Sequence, residues 1–531
     1  MSNLRPTARV ARGATYLFLQ GFATAFIGLV YFAFLAHTFG SPAEQWQMGA
    51  YALLSFILSL SSVLGTLALQ YSSVKYIAQY QAQGEMEKAK GVAARVLQIG
   101  LLTSVVAFSA LFFPAEWLST LLFNTPDHAL LIRVVAVCSI FAILQTSASG
   151  ILQGLQRMRE VAFLGLTISL THTFVGIGLL LAGWRLYAVV IGWLAGWVIT
   201  AACSLFLSYR YLGFRGKPHP VRPLLSFSFP LYISTNLGFF IAWADQLLLV
   251  SYMSLLHGTI EAQSILGIYY VAIRASVVPS IFSNAVVTAL FPSLSGLYAQ
   301  QGLGSLKDAF RMSTRYAVLL GFPLVTGVAT LAFPVIILFG GWSYIGAAEP
   351  LIIISLGVLI GTLGLAIGPI LMTLERTSVV SMLSVIGVAL NLSLSYATVV
   401  LLSLGMIGAA WARTLAAIIG LLVTLYAVTR YVKIAFDREA IWKSLVASAL
   451  LTLAIIGVDL VRMLLSPSDY QFLVIRLHLL PIYVLAGAAA YAIGLVLLKA
   501  IKQHDVEIFE DYLPGKLKWV ATWASRFASA K

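Results

Sequence analysis

Charge is scarce in this chain. Only 10% of its 531 residues are Asp, Glu, Lys or Arg, against roughly 25% in an ordinary soluble domain. That shortage excludes a solvated globular fold for most of the length, because a water-exposed surface needs charge to cover it. Cysteine is nearly absent too. Cys138 and Cys203 are the only two, and both fall in apolar runs, so no disulfide framework is implied and small apolar packing suits each. Polar gaps are short, the longest lying near 72–95 and 500–531. No nucleotide-binding domain fits there, which excludes an ATP-driven pump. No Gly-rich phosphate loop, metal-ligand cluster or catalytic triad is present, so no cofactor is expected. A membrane glycosyltransferase would need acidic residues in a sizeable aqueous loop, and the candidate outer loops hold only scattered ones such as Glu116 and Asp127. The chain is therefore not expected to be an enzyme.

What is abundant is hydrophobic sequence, 60% of the chain. A helix needs about 20 apolar residues to cross roughly 30 Å of hydrocarbon. Fourteen such runs occur, near 14–38, 48–71, 96–114, 129–153, 161–182, 186–209, 224–254, 264–293, 316–340, 347–373, 377–402, 405–429, 441–463 and 474–499. The expectation is an all-α polytopic membrane protein. The first run is too long for a signal h-region and lacks a clear cleavage site, so it reads as a retained helix.

Lys and Arg gather in alternate gaps. All but six of the 33 fall on the side that holds both termini, and such an excess marks cytoplasmic loops. The exceptions are Arg133, Arg185, Arg462 and Arg476 on the other side, with Arg274 and Arg413 inside spans. The net charge of +14 thus reflects orientation and attraction to anionic lipid rather than nucleic-acid binding. Both termini are expected in the cytoplasm.

The gap at 210–223, with Pro218, Pro220 and Pro223, and the gap at 430–440 divide the runs into six, six and two. The expected organisation is 1–209 as an N-terminal lobe, 210–430 as a C-terminal lobe, 431–500 as two added helices and 501–531 as a tail. Each lobe has a long polar loop after its second run and a short basic turn after its fourth. Repeats of this kind place a substrate site at their interface. In the tail, Trp519, Trp523 and Phe527 recur at helical spacing between Lys516, Lys518 and Arg526, the pattern of an amphipathic helix on the membrane surface.

Several motifs resemble a known family. Gly150-Ile-Leu-Gln-Gly154, then Gln156-Arg157-Met158-Arg159-Glu160, resembles the signature after the fourth span of polysaccharide flippases. Trp243-Ala-Asp245-Gln-Leu-Leu-Leu and Leu266-Gly-Ile-Tyr-Tyr270-Val-Ala-Ile-Arg274 look like their seventh and eighth spans, and Leu290-Phe-Pro292-Ser-Leu-Ser like the end of the eighth. Leu390-Asn391-Leu, then Gly405-Met-Ile-Gly408-Ala-Ala410, is similar to their eleventh-to-twelfth connection. One departure is His37, where the family often has Arg. The resemblance covers about residues 14–430, within a superfamily that also holds MATE exporters and lipid II flippases. It implies two six-helix lobes forming a V around a central cavity, plus two C-terminal helices, in a monomer. It also implies flipping of an oligosaccharide linked to a polyprenyl phosphate or diphosphate, by alternating access; membrane lipids are the expected neighbours, and Na+ or H+ is a candidate coupling ion. A MATE-type exporter is the alternative, but fourteen runs rather than twelve, and no acidic residue between Arg12 and Glu44, weigh against it. A lipid II flippase usually carries arginines in its first two spans, absent here between Arg12 and Lys75.

Such a substrate joins an anionic linker to a polar sugar. Arg can hold phosphate with two donors at once, which nominates Arg274 and Arg413; the alternative is a structural ion pair or snorkelling. Asp245 either pairs with Arg274 or titrates as a coupling group. His172, among Thr167, Ser169, Thr171 and Thr173, either packs against a neighbouring helix or senses protons. Gln20, Gln145, Asn236, Asn284 and Asn391 bind sugar hydroxyls or bridge helices. Pro230, Pro279, Pro334 and Pro369 are expected to bend their spans.

Overall fold

A computed structural model describes residues 6–279, 303–374, 376–465 and 479–503. Among these, thirteen helical segments are long and apolar enough to cross a membrane. They coincide with thirteen of the fourteen expected runs. The eighth, expected at 264–293, is helical over 259–279 and then leaves the described residues. Asn284 and the amphipathic tail also lie outside the described residues.

The helices are α1 (Pro6–Thr38), α2 (Trp46–Gly65), α3 (Leu69–Ala82), α4 (Met86–Phe112), α5 (Ala115–Phe123), α6 (Ala129–Gly154), α7 (Met158–Leu181), α8 (Arg185–Leu212) and α9 (Val221–His257). Then come α10 (259–279), α11 (Leu303–Thr330), α12 (Ala332–Gly340), α13 (Ala348–Gly361), α14 (Ile367–Thr373), α15 (Thr377–Ser395), α16 (Gly405–Thr429), α17 (Arg438–Leu465) and α18 (Leu480–Leu497). Helix is the form that satisfies every backbone group without a neighbouring strand, as hydrocarbon requires.

Some expected spans are not single helices. The run at 48–71 breaks between α2 and α3, where Leu67 (φ 47°) and Ala68 (φ 53°) are left-handed. Each such residue costs about 1–2 kcal/mol, so the break is held by other bonds. Leu69 N donates to Thr66 O at 2.9 Å, and Ser228 Oγ on α9 donates to Ala68 O at 3.1 Å. Ser72 on α3 lies against Ser228 and donates to Leu224 O at 2.7 Å. Of the prolines, Pro230 does lie inside a long helix, α9. Pro334 and Pro369 instead sit in the first turn of α12 and α14, where a missing N–H removes no intrahelical bond. Each follows an interruption of its expected span, at Leu331 and at 362–366, where the missing N–H and the ring disfavour a continuous helix.

Two compact units emerge. The first holds the chain up to Val271 together with Phe339–Ser343 and Arg376–Ala412; the second holds the remainder. In the first, α7 packs on α8 and α1, α6 on α3, α4 and α8, and α9 on α15. One of its cores joins Leu69, Ile77, Val92, Val96, Ile151 and Leu224. The proline-rich connection before α9 docks onto α3 and α4. His219 N donates to Gly91 O at 3.1 Å, and Arg95 Nε donates to His219 O at 2.9 Å. His219 Nδ1 lies 3.0 Å from Pro220 O, an acceptor only, so Nδ1 carries the hydrogen. Nε2 then accepts from the Tyr80 hydroxyl at 3.1 Å. In the second unit α17 packs on α18 and α11 around Leu331, Leu451, Ile455, Tyr483 and Tyr491.

Candidate functional site

The polar residues nominated from the sequence fall into separate clusters. In the first unit α9 carries Asn236 and Asp245, and its partner α15 carries Asn391. Asp245 is fully buried and accepts a hydrogen bond from Tyr269 Oη on α10 at 2.6 Å. Asn391 Nδ2 donates to Ile241 O at 3.1 Å, and its Oδ1 accepts from Ser395 at 3.1 Å. Asn391 thus bridges two helices. Asn236 Nδ2 donates to Tyr232 O, one turn back, at 2.8 Å, while its buried Oδ1 has no partner among the described residues.

A second cluster lies where α1 meets α7. Gln20 Nε2 donates to Thr24 at 2.9 Å, close against Gly165. His172 packs edge-on to Tyr31 (ring centroids 4.7 Å apart) and to Trp193 on α8 (6.0 Å). His172 Nε2 and Tyr31 Oη are both buried without a partner among the described residues. Gly176 is required here, because a Cβ would collide with the Tyr31 hydroxyl. Gln145 on α6 stays within its own helix, donating to Ser149 at 3.0 Å.

Arg274 is exposed on α10 and Arg413 half-buried on α16. Next to Arg413, Thr414 donates to Ile353 O at 2.8 Å, and Gly357 lets the two helices close, since its Cβ would sit 3.1 Å from the Thr414 Cα.

Other groups are not singled out by the sequence reading. Rings run without interruption from His172 through Trp193, Tyr51 and Tyr270 to Trp243, Phe56 and Phe239. In the second unit Arg315, 5% exposed, donates from Nη1 to Asp437 Oδ2 at 3.0 Å and from Nη2 to Ala500 O at 2.6 Å. Asp437 also caps α17 by accepting from Ala440 N at 3.1 Å. Burial alone would push this carboxyl up, but the Ala440 N–H, Arg315 and Lys502 hold it below the ordinary range. Near the other end of α17, Asp459 accepts from Tyr483 Oη on α18 at 2.7 Å and from Arg462 Nε at 2.8 Å. An Asp followed three residues later by Arg was the available signal for that pair. Among the described residues no three His, Cys, Asp or Glu side chains converge as a bound metal would require.

The described site is thus a set of neutral polar and aromatic groups within a bundle of spanning helices, with a few buried charges tied to partners. The polysaccharide biosynthesis protein family matches residues 41–349. The chain belongs to that family. It is 24% identical over 452 residues to a probable low-salt glycan biosynthesis flippase of Haloferax volcanii, covering 84% of this chain and 89% of that one. Among solved structures it resembles lipid II flippase MurJ in an inward closed conformation, with TM-score 0.71, 17% identity, and 90% and 98% of the two chains covered. It also resembles an outward-facing multidrug resistance MATE family transporter of the MOP superfamily, with TM-score 0.62, 15% identity, and 79% and 95% covered. These structural likenesses show the fold, an all-α bundle of many spanning helices.

Proposed function

We propose that this family member flips an oligosaccharide, linked to a polyprenyl phosphate or diphosphate, across the cell membrane. The observation that carries the reading is membership of a polysaccharide biosynthesis family by a chain built of spanning helices. Such a chain is suited to moving a glycan rather than joining sugars. Alternating access would use two six-helix lobes, 1–209 and 210–430, with 431–500 as an added pair and 501–531 as a surface tail. Both termini lie in the cytoplasm on the strength of the Lys/Arg distribution, and the protein works as a monomer. Arg274 and Arg413 bind the phosphate linker; Asn236, Asn284, Asn391, Gln20 and Gln145 are the sugar contacts. Asp245 and His172 are the groups through which Na+ or H+ would couple.

The test is transport of a fluorescent polyprenyl diphosphate oligosaccharide in vesicles. Arg274→Ala is expected to abolish transport with insertion intact. Arg274→Lys would restore it only in part, since a point charge attracts phosphate but lacks the bidentate fork. Full transport by Arg274→Ala would remove this residue from substrate binding. A wild-type protein that moves cationic drugs and no glycolipid would overturn the flippase reading itself.

A further inference from the structure

The spacing of Asn236, Phe239, Trp243 and Gln246 places all four on one stripe of α9, each about one turn from the next. The stripe faces α2 and α10. Phe239 stacks on Phe56 of α2 (5.5 Å, 22°), and Trp243 meets Phe56 edge-on (5.4 Å, 61°). Trp243 also stacks on Tyr270 of α10 (6.0 Å, 25°). Phe56, Phe239 and Trp243 are only half-buried, so part of each ring remains uncovered. Beside the rings stand two amides in the same state. Asn236 Nδ2 donates to Tyr232 O and Gln246 Nε2 to Ala242 O, each at 2.8 Å. Their carbonyl oxygens, Oδ1 and Oε1, are buried with no partner among the described residues, although Gln246 is 3% exposed. A buried acceptor without a donor is unfavourable and calls for one.

We propose that this stripe of α9, with Phe56, is a subsite for one sugar ring of the transported glycan. The inference rests on the flippase reading and assigns the sugar a place within it. A pyranose has a face of C–H groups and a rim of hydroxyl donors. The C–H face, slightly positive, lies on the negative face of an aromatic ring. The hydroxyls of a ring laid beside Phe239 donate to Asn236 Oδ1, whose amide has one N–H tied to the helix; Gln246 Oε1, ten residues and about 15 Å further along α9, is left for the next sugar of the glycan. Other parts of the substrate fit poorly. A phosphate, which carries acceptors only, would leave the two amide oxygens without the donor they call for. A polyprenyl tail would cover the rings but leave both amide oxygens unsatisfied.

The experiment measures binding to the purified full-length protein in nanodiscs, using a polyprenyl diphosphate bearing one hexose and the same lipid without sugar. Wild type is expected to bind the glycosylated lipid about tenfold more tightly. Trp243→Ala and Asn236→Leu should bring that ratio close to one without changing the Kd for the bare lipid. Trp243→Phe keeps a ring and should keep most of the preference. Retention of the preference by Trp243→Ala and Asn236→Leu overturns the subsite, as does equal loss of both lipids. A wild-type protein that binds both lipids equally also overturns it while leaving the flippase reading standing. Binding of neither lipid would instead defeat the flippase reading. Should Trp243→Ala not fold, Asn236→Leu, nearly the same size, decides alone.

Discussion

In the region where α2 meets α9 and α10, buried polarity is mostly neutral: amides, phenols and rings, with Asp245 as the one carboxylate. At the start of α17 it is mostly ionic: buried Arg315 pairs with Asp437 and donates to the Ala500 carbonyl, and buried Lys443 donates to the Lys499 carbonyl and pairs with exposed Glu439, which also meets Lys502. The difference follows from the solvent. Near the end of a span a charge can be desolvated only partly and can be surrounded by donors, so a network holds. Deep in a bundle each charge is expensive, and neutral groups supply polarity at lower cost. A network of ions fixes helices together, whereas amide oxygens with no donor among the described residues would, on the subsite proposed above, accept from a group that arrives and leaves.

The sharpest way to break this contrast is to remove one ion. Asp437→Asn or Arg315→Ala should destabilise by about 3–5 kcal/mol, because each leaves a buried charge without its partner. Thermal unfolding in detergent reads the loss, and Arg315→Met with Asp437→Leu should recover most of it. Asp437 is held below its ordinary range, so its stabilisation is complete above the unfolded value, about 3.9. It is lost as pH falls through the folded value. Unfolding midpoints should therefore drop below about pH 4, and less steeply in Asp437→Asn.

Smaller effects are expected in the neutral region. Gly49→Ala places a Cβ on the Gln263 carbonyl where α2 crosses α10, and should destabilise by up to about 3 kcal/mol through overpacking. Tyr269→Phe removes a donor from Asp245 and should cost about 1–2 kcal/mol; a change as large as that at Asp437 would erase the contrast. His172→Phe keeps a ring and removes Nε2, which has no partner among the described residues, so stability should move by no more than about 0.5 kcal/mol. Denaturation of the purified variants measures all three.

Much of the fold was legible because each span is a local property. Twenty apolar residues in a row suffice, whatever packs beside them. Breaks were less legible. Nothing in Gly65–Leu69 signals two left-handed residues, since the bond that holds Ala68 comes from Ser228, 160 positions away. The candidate site was legible in part. Asp245 and Asn236 stand out as polar groups in apolar runs, but Gln246 and Tyr269 were passed over beside them. The Arg315–Asp437 pair was hidden by a separation of 122 positions.

The sequence alone determined that this chain spans the membrane many times and which gaps hold its positive charge, because hydropathy and the Lys/Arg bias are sums over neighbouring residues. The tertiary structure alone decided which polar groups meet: Tyr269 with Asp245, Arg315 with Asp437, Phe56 with the aromatic stripe of α9. A helix shows its neighbours only one face, and its rotation is chosen by packing along its whole length. No short stretch of residues carries that information.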